Sequence, residues 1–162
     1  MQAPSRLKHF LWCLAHNSLA LRSNLKRRGV KVDDSRCIMC NRGGEDGGHL
    51  FLKCKCVKAL WRSAGMDHVR QLMAECCTAM ELVEKVLTID DELQLKTALL
   101  LNNWWHERNQ VREGEKRRSA DEIAGLCVGG KHQKSTTCSG LLLKIHEHGV
   151  EEGDGRHPHT AC

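Results

Sequence analysis

Apolar residues recur at helical spacing along most of the chain, and this pattern predicts a mainly α protein. The first apolar stripe repeats every three or four positions within residues 5–17. It comprises Leu7, Phe10, Leu11 and Leu14, with Trp12 and Ala15 at its edges. The same spacing predicts further helices over residues 19–28, 49–62, 67–87 and 91–112. The face predicted for residues 67–87 contains Val69, Leu72, Met73, Cys76, Met80, Val83 and Leu87.

Local signals mark where several of these helices begin and end. Gly29 and Gly65 follow two of the predicted helices, as glycine often does at a helix C-terminus. Asp90-Asp91-Glu92 precedes the last predicted helix, where acidic side chains cap free N–H groups and favour the helix dipole. We therefore interpret this triplet as a helix start rather than as a metal-binding carboxylate cluster.

Helical periodicity is lost from about Gly125 onwards, where glycine, serine and threonine punctuate the chain. Residues 126–162 are therefore expected to form an irregular, disordered tail. The 162 residues are enough for one domain, or for one small domain followed by such a tail.

The cysteine content bears on the compartment in which the protein works. Ten cysteines are present, but no secretory leader opens the sequence, and Cys76 and Cys77 are adjacent. These features favour a reducing compartment over a disulfide framework. No apolar stretch approaches the roughly 20 residues that a membrane-spanning helix needs. We therefore expect an intracellular protein that does not enter membranes.

Positive charge is concentrated in the first part of the chain. Residues 1–63 contain thirteen Lys and Arg against four Asp and Glu, a net charge of +9, whereas residues 64–100 contain three against seven, a net charge of −4. A basic cluster within the first part consists of Lys26, Arg27, Arg28 and Lys31. Such asymmetry indicates a polyanion, so these side chains are candidates for phosphate contacts with RNA or DNA, and the nucleus is the expected location. Ordinary solvated surface charge is the alternative.

The spacing C-x2-C-x8-H-x4-C is the strongest chemical signal in the sequence. It is formed by Cys37, Cys40, His49 and Cys54. Three thiolates and one imidazole are a typical ligand set for a tetrahedral Zn²⁺, and the glycine-rich residues 41–48 allow the chain to double back. His49 and Cys54 are expected on one helix, within reach of one ion. Cys56 is an alternative to Cys54 as a ligand, and unligated thiols or a redox pair are alternatives to a metal site.

No motif in the sequence predicts catalysis. Four protein ligands would leave no open position on the ion for a water molecule, and no H-x-E motif lies near the cysteine pair. The chain contains no tyrosine, so it cannot contain a Y-x-D-D polymerase motif. We therefore expect a binding module rather than an enzyme.

A series of short motifs follows a characteristic order over residues 3–63. These are Leu7-Lys8-His9-Phe10-Leu11-Trp12, His16-Asn17-Ser18-Leu19, Leu25-Lys26-Arg27-Arg28-Gly29, the pair Cys37 and Cys40, Glu45 with His49-Leu50-Phe51 and Cys54, and Trp61. Together they resemble the zinc-binding domain of plant LINE-type (non-LTR) retrotransposons, which lies C-terminal to the reverse transcriptase. One departure is Asp46, where the family usually has a hydroxyl residue. Residues 104–122 resemble the connector before an RNase H-like domain, and the resemblance ends near Leu126.

The resemblance implies a zinc-binding domain over residues 3–63, with the ion held by Cys37, Cys40, His49 and Cys54. A helical connector over residues 64–125, containing two longer helices, and a tail over residues 126–162 would complete the chain. The resemblance also implies association with nucleic acid, without catalysis by this part of the element. A zinc-stabilised structural or protein-interaction module, derived from a degenerate retroelement fragment, is the alternative.

Overall fold

Helices make up most of residues 3–128, the residues that this computed structural model describes, and no β-strand occurs among them. Seven α-helices and one short π-helix follow one another along this part of the chain. They are α1 (Ser5–Ala15), α2 (Arg22–Arg27), the π-helix (His49–Lys53), α3 (Lys55–Ser63), α4 (Asp67–Leu72), α5 (Ala79–Thr88), α6 (Asp91–Arg112) and α7 (Ala120–Val128). The prediction of a mainly α protein is confirmed.

All of the described residues lie within one compact unit of the chain, Met1–Gly130. Most of the predicted tail, residues 126–162, therefore lies outside the described residues. Within residues 3–128, no helix is both long enough and apolar enough to cross a membrane.

The hydrophobic core is built around α6, against which α1, α5 and α7 pack. Two buried tryptophans connect this core to the π-helix. Trp104 Nε1 in α6 donates a hydrogen bond to the Leu50 carbonyl at 2.8 Å, and Trp61 Nε1 in α3 donates to the Phe51 carbonyl at 2.9 Å. A buried carbonyl without a partner would be costly, so these two bonds hold the π-helix against α3 and α6. Trp61 is thus a core anchor, as its position on the predicted helical face indicated.

Three of the predicted helices, over residues 5–17, 19–28 and 91–112, are observed as α1, α2 and α6. The place of Trp12 differs from the prediction, because its side chain is 55% exposed and not part of the core. Successive residues of an α-helix are about 100° apart around the axis. Trp12 therefore points away from the core when the neighbouring Leu11 points into it.

The single helix predicted over residues 67–87 is wrong, because this stretch forms two helices, α4 and α5. Thr78 starts α5, since its Oγ1 accepts a hydrogen bond from the Glu81 N–H at 3.1 Å. The Glu81 carboxylate in turn accepts from the Cys77 N–H at 2.8 Å. This reciprocal capping starts a new helix inside a stretch whose periodicity alone indicated one continuous helix. The described residues after α3 therefore contain one long helix, α6, and not two.

The break between α4 and α5 also divides the apolar face that was predicted there. Val69, Met73 and Val83 are buried as expected, and Cys76 is half-buried. By contrast, the large apolar side chains of Leu72, Met80 and Leu87 are exposed. A stripe that is continuous on one helix loses its register when the helix is interrupted.

The helix α7 was not predicted: the apolar spacing indicated no individual helix after residue 112, and residues 126–128 were expected to belong to the tail. Ser119 starts this helix. Its N–H donates to Glu122 Oε2 at 2.7 Å, and its Oγ accepts from the Glu122 N–H at 3.2 Å. This S-x-x-E capping box was the sequence signal that could have revealed α7. The helix packs on α3 and α6 and buries Ile123.

The start of α6 provides a test of the capping predicted for the acidic triplet. Asp90 Oδ1 accepts hydrogen bonds from the N–H groups of Glu92 at 3.0 Å and Leu93 at 3.4 Å. The substitution Asp90→Ala should therefore lower the free energy of unfolding by about 1 kcal/mol, measured by urea denaturation. As a control, Asp91→Ala removes a charge from the first turn but leaves this cap intact, and should cost less. Equal losses for the two variants would contradict the assignment of Asp90 as the cap.

Candidate metal centre

Between α2 and the π-helix, the chain makes a tight turn that carries the first two cysteines of the motif. Cys37 N donates to the Gly43 carbonyl at 2.9 Å, and Asn41 N donates to the Cys37 carbonyl at 2.7 Å. Asn41 has a φ of 55°, a left-handed conformation that asparagine tolerates better than most residues. These bonds fold the chain back after Cys40. We call residues 37–54, which carry all four motif side chains, the Cys/His loop.

His49 is positioned by two neighbours within this loop. A Cβ atom on Gly43, whose φ is +61°, would lie 3.3 Å from the His49 ring, so this position favours glycine for both conformation and space. The His49 N–H donates to Asp46 Oδ1 at 2.6 Å. Asp46 stands where the resemblance led us to expect a hydroxyl residue. Its carboxylate supplies the acceptor that a hydroxyl at this position would otherwise provide.

Cys54 lies at the junction between the π-helix and α3, so the prediction that His49 and Cys54 share one continuous helix is wrong. The Cys54 N–H donates to the His49 carbonyl at 2.7 Å, which is the i→i+5 bond of a π-helix. Residues five apart do not share a face of an α-helix, whereas this wider turn brings both side chains to the same side. Cys54 then adopts an extended conformation, with ψ at 134°, and α3 begins after it.

The four side chains of the motif converge as the spacing predicted. Their ligand atoms, one from each of Cys37, Cys40, His49 and Cys54, all lie within 4.8 Å of one another. Among them, Cys40 Sγ contacts His49 Nε2 at 3.3 Å. Tetrahedral Zn²⁺, with Zn–S near 2.3 Å and Zn–N near 2.0 Å, places its ligand atoms about 3.5–3.8 Å apart. A movement of about 1 Å would therefore bring this set around one ion.

Hydrogen bonding prepares one of the sulfurs for metal binding. The bond to Cys37 lowers the pKa of the Cys54 thiol to about 4, and the N–H groups of Cys56 and Val57 at the start of α3 act in the same direction. The same bond to Cys54 raises the pKa of the Cys37 thiol. The hydrogen-bonded pair can thus supply a thiolate, the form that binds metals. Both sulfurs are buried, so a cation at this point would be largely shielded from water.

Cys56, the alternative to Cys54 in the sequence, lies beside the four converging side chains but is not one of them, and it has partners of its own. Its thiol donates to the Met39 carbonyl at 3.3 Å, and Arg117 Nη1 donates to Cys56 Sγ at 2.9 Å. Burial raises the pKa of the Cys56 thiol, which favours its protonated form. Arg117 also donates to the Met39 carbonyl at 3.0 Å, so it connects the segment before α7 to the turn between Cys37 and Cys40.

A buried ion pair, which no pattern in the sequence indicated, fixes the Cys/His loop to α6. The Arg108 guanidinium in α6 donates to the Glu45 carboxylate in the loop, and both side chains are almost completely buried. Glu45 also accepts from the backbone N–H groups of Arg22 at 3.2 Å and Ile38 at 3.1 Å. One carboxylate therefore joins α6, the start of α2 and the turn between the two cysteines. Glu45 was part of the resemblance, but its buried partner is 63 residues away in sequence.

The predicted basic cluster lies at the end of α2 and in the chain that follows it. Its four side chains, those of Lys26, Arg27, Arg28 and Lys31, are all exposed. None of them forms an ion pair with a carboxylate anywhere in residues 3–128. Arg28 Nη2 donates to the Asn17 carbonyl after α1 at 2.9 Å, and Arg27 Nη2 donates to Asn24 Oδ1 at 3.2 Å. The cluster thus has no acidic partner within residues 3–128, and its two arginines donate to neutral acceptors.

Comparison with known proteins bears on the segment that contains the Cys/His loop. Residues 1–61 match a family model described as zinc-binding in reverse transcriptase. No curated protein and no solved structure matches the chain. The match agrees with the resemblance over residues 3–63. Together with the Cys/His cluster, it indicates a metal-binding domain of the type found in reverse transcriptases, with zinc as the metal.

Proposed function

We propose that this protein is a zinc-binding and nucleic-acid-binding module derived from a LINE-type retrotransposon, without catalytic activity of its own. The observation that carries the proposal is the convergence of Cys37, Cys40, His49 and Cys54, whose ligand atoms lie within 4.8 Å of one another. This cluster falls inside the segment that matches the reverse-transcriptase zinc-binding family.

In this proposal, zinc has a structural role. Four protein ligands complete a tetrahedral shell, so no position remains for a water molecule or a substrate. The Cys/His loop has little other regular structure to stabilise it, apart from the π-helix. A closed site of this kind contributes directly to the free energy of folding. The ion would hold the loop in the conformation that α2 and α6 contact through Glu45.

Nucleic acid is the partner that the charge distribution favours. The first 32 residues contain seven Lys and Arg and no Asp or Glu. The basic cluster of Lys26, Arg27, Arg28 and Lys31 has no carboxylate partner within residues 3–128. Exposed cations without internal partners are available for phosphates. The backbone of α2 is attached to the loop, because Ser23 N donates to the Glu45 carbonyl at 3.1 Å. Folding of the loop would therefore also position this basic surface.

Salt dependence gives a quantitative test of phosphate binding. For single strands, the logarithm of the association constant should fall with the logarithm of salt concentration by about 0.7 per phosphate contact. The variant K26Q/R27Q/R28Q/K31Q should reduce the steepness of this dependence by about 2.8, because four contacts are lost. Fluorescence anisotropy of the zinc-loaded protein with a labelled RNA or DNA strand would measure it.

A matched control removes the same number of charges from another surface. The variant K85Q/K96Q/R112Q/K116Q has the same net charge as the first, but it changes side chains on α5, on α6 and after α6. Its salt dependence should stay close to that of the wild-type protein. An equal effect of both variants would show that only overall charge matters. Absence of wild-type binding even at low salt would refute nucleic-acid binding by this protein.

A further inference from the structure

Trp12 is unlike the other three tryptophans of the chain in its exposure. Trp61, Trp104 and Trp105 are buried, whereas Trp12 on α1 is 55% exposed. An indole ring is a large apolar surface to leave in water, and it does not contribute here to the core. Tryptophan is also one of the side chains that are enriched at binding interfaces.

Two imidazole rings stand beside the indole on the same side of α1. The His16 ring stacks on Trp12 with a centroid distance of 4.6 Å and an interplanar angle of 28°. The His9 ring is also nearly parallel to Trp12, at an angle of 16°, but its centroid is 6.2 Å away. His16 Nδ1 contacts the Trp12 carbonyl at 2.9 Å, which orients this imidazole. The three rings form an exposed aromatic row, with the wider spacing on the His9 side.

Positive charge lies next to this aromatic row. Lys8 is four residues before Trp12, which places it on the same face of α1. Arg28 donates to the carbonyl of Asn17, the residue after His16, and so brings the basic cluster to the C-terminal end of the row. The nearest acidic residue in the sequence, Asp33, comes after all of these positions. Its neighbour Asp34 is already paired with Arg36 at 3.0 Å.

We propose that Trp12, flanked by His9 and His16, is a stacking platform for a base of a single-stranded nucleic acid, while Arg28 and Lys8 contact the adjacent phosphates. The inference rests on the proposed nucleic-acid-binding function and names the surface that would perform it. Aromatic rings beside a cationic surface are how proteins bind single strands without reading a sequence. In a duplex the faces of the bases are covered by their neighbours, so the platform would favour single strands.

Intrinsic tryptophan fluorescence reports on this contact directly, because only one of the four indoles is open to solvent. Titration of the full, zinc-loaded chain with an unstructured strand of about 10 nucleotides should quench the fluorescence of Trp12. The Trp12→Ala variant should bind this strand about 5- to 150-fold more weakly, which corresponds to the loss of one stacked base. An abasic strand of the same length and charge should bind both proteins equally and cause no quenching.

Leu72→Ala provides the matched control, since it removes another exposed apolar side chain from the far more acidic part of the chain. It should leave affinity and quenching unchanged. Circular dichroism of Trp12→Ala should match the wild type, because the side chain lies outside the core. A comparison of the affinities for RNA and DNA strands of the same sequence would show which of the two nucleic acids the protein prefers.

Three results would overturn the inference. Equal binding of the base-containing strand by wild type and Trp12→Ala would refute the platform while leaving phosphate binding intact. Self-association that depends on Trp12, seen by sedimentation without nucleic acid, would assign the aromatic row to a protein contact instead. If neither strand binds the wild-type protein at low salt, the proposed nucleic-acid-binding function fails together with the platform.

Discussion

Replacement of Cys54 by serine should abolish stoichiometric zinc binding and unfold the Cys/His loop. Cys54 is buried, and its hydrogen bond to Cys37 lowers the pKa of its thiol, which favours the thiolate form that binds metals. A structural zinc ion contributes about 10–16 kcal/mol of apparent binding free energy in zinc-finger peptides, which is comparable to the whole stability of a domain, about 5–15 kcal/mol. Wild-type protein should contain one zinc ion per chain by mass spectrometry, and Cys54→Ser should contain none. The variant should also lose a large part of its thermal stability.

Cys56 gives a control two residues away from the substituted position. Its thiol donates to the Met39 carbonyl at 3.3 Å, and a serine hydroxyl can donate to the same acceptor. Cys56→Ser should therefore retain one zinc ion per chain and melt near the wild-type temperature. Full zinc occupancy in Cys54→Ser, or loss of zinc in Cys56→Ser but not in Cys54→Ser, would contradict the ligand assignment.

Removal of zinc by a chelator should also weaken contacts outside the loop. Trp104 and Arg108 in α6 both bond to groups of the loop, namely the Leu50 carbonyl and the Glu45 carboxylate. If the loop unfolds, these buried polar groups lose their partners, and each loss is costly. The loss of circular dichroism signal on chelation should thus exceed what the short π-helix alone can account for.

Substitution of Arg108 by methionine should destabilise the protein by about 3–5 kcal/mol, because it leaves the Glu45 carboxylate buried without its countercharge. Glu45 is fully buried and would keep only its two backbone donors, the N–H groups of Arg22 and Ile38. Methionine fills a similar volume, so the loss of packing should be small. The Arg108 guanidinium, which also lies over the Trp105 ring at 5.1 Å, makes a further contribution. Urea denaturation at neutral pH would measure the change in the free energy of unfolding.

The double variant E45Q/R108M separates the buried charge from the packing. It removes both ionised groups, so the uncompensated carboxylate of the single variant no longer exists. Arg108 Nε has no hydrogen-bond partner in residues 3–128, and the native pair therefore compensates its own desolvation only in part. E45Q/R108M should be more stable than R108M alone, because no ionised side chain is then left buried without a partner. The summed losses of E45Q and R108M should exceed the loss of the double variant by about 0.5–3 kcal/mol, the size of a coupling between residues in contact. Additive losses for E45Q and R108M would contradict the assignment of a coupled pair.

The candidate metal centre could be predicted from sequence because its information is local. The spacing of Cys37, Cys40, His49 and Cys54 limits how far apart four ligands can lie, and the thiolate and imidazole groups themselves select the type of metal. Gly43 and Asn41 then allow the turn that brings them together, and both are residues that tolerate positive φ. The spacing did not decide whether Cys54 or Cys56 is the fourth ligand, because the two cysteines are only two residues apart and either could reach the ion.

The helix boundaries show the limit of the same reasoning. Periodicity predicted α1, α2 and α6, but it merged α4 with α5 and the π-helix with α3, and it missed α7. Each of these errors lies where a hydrogen bond to a side chain or a wider turn competes with an apolar stripe. Thr78 and Ser119 start helices by capping, and the bond from Cys54 N to the His49 carbonyl produces the π-helix. The spacing of apolar residues carries no information about these hydrogen bonds.

The sequence by itself determined the helical class, the Cys/His type of the candidate metal centre and the concentration of positive charge in residues 1–63. These properties depend on residues close together in the chain, so spacing and composition express them. Only the tertiary structure decided that Glu45 meets Arg108, that Cys56 faces Arg117, and that Trp12 stays in solvent beside two imidazoles. Those outcomes depend on which helix faces pack together, because burial and pairing between distant residues are set by the whole core.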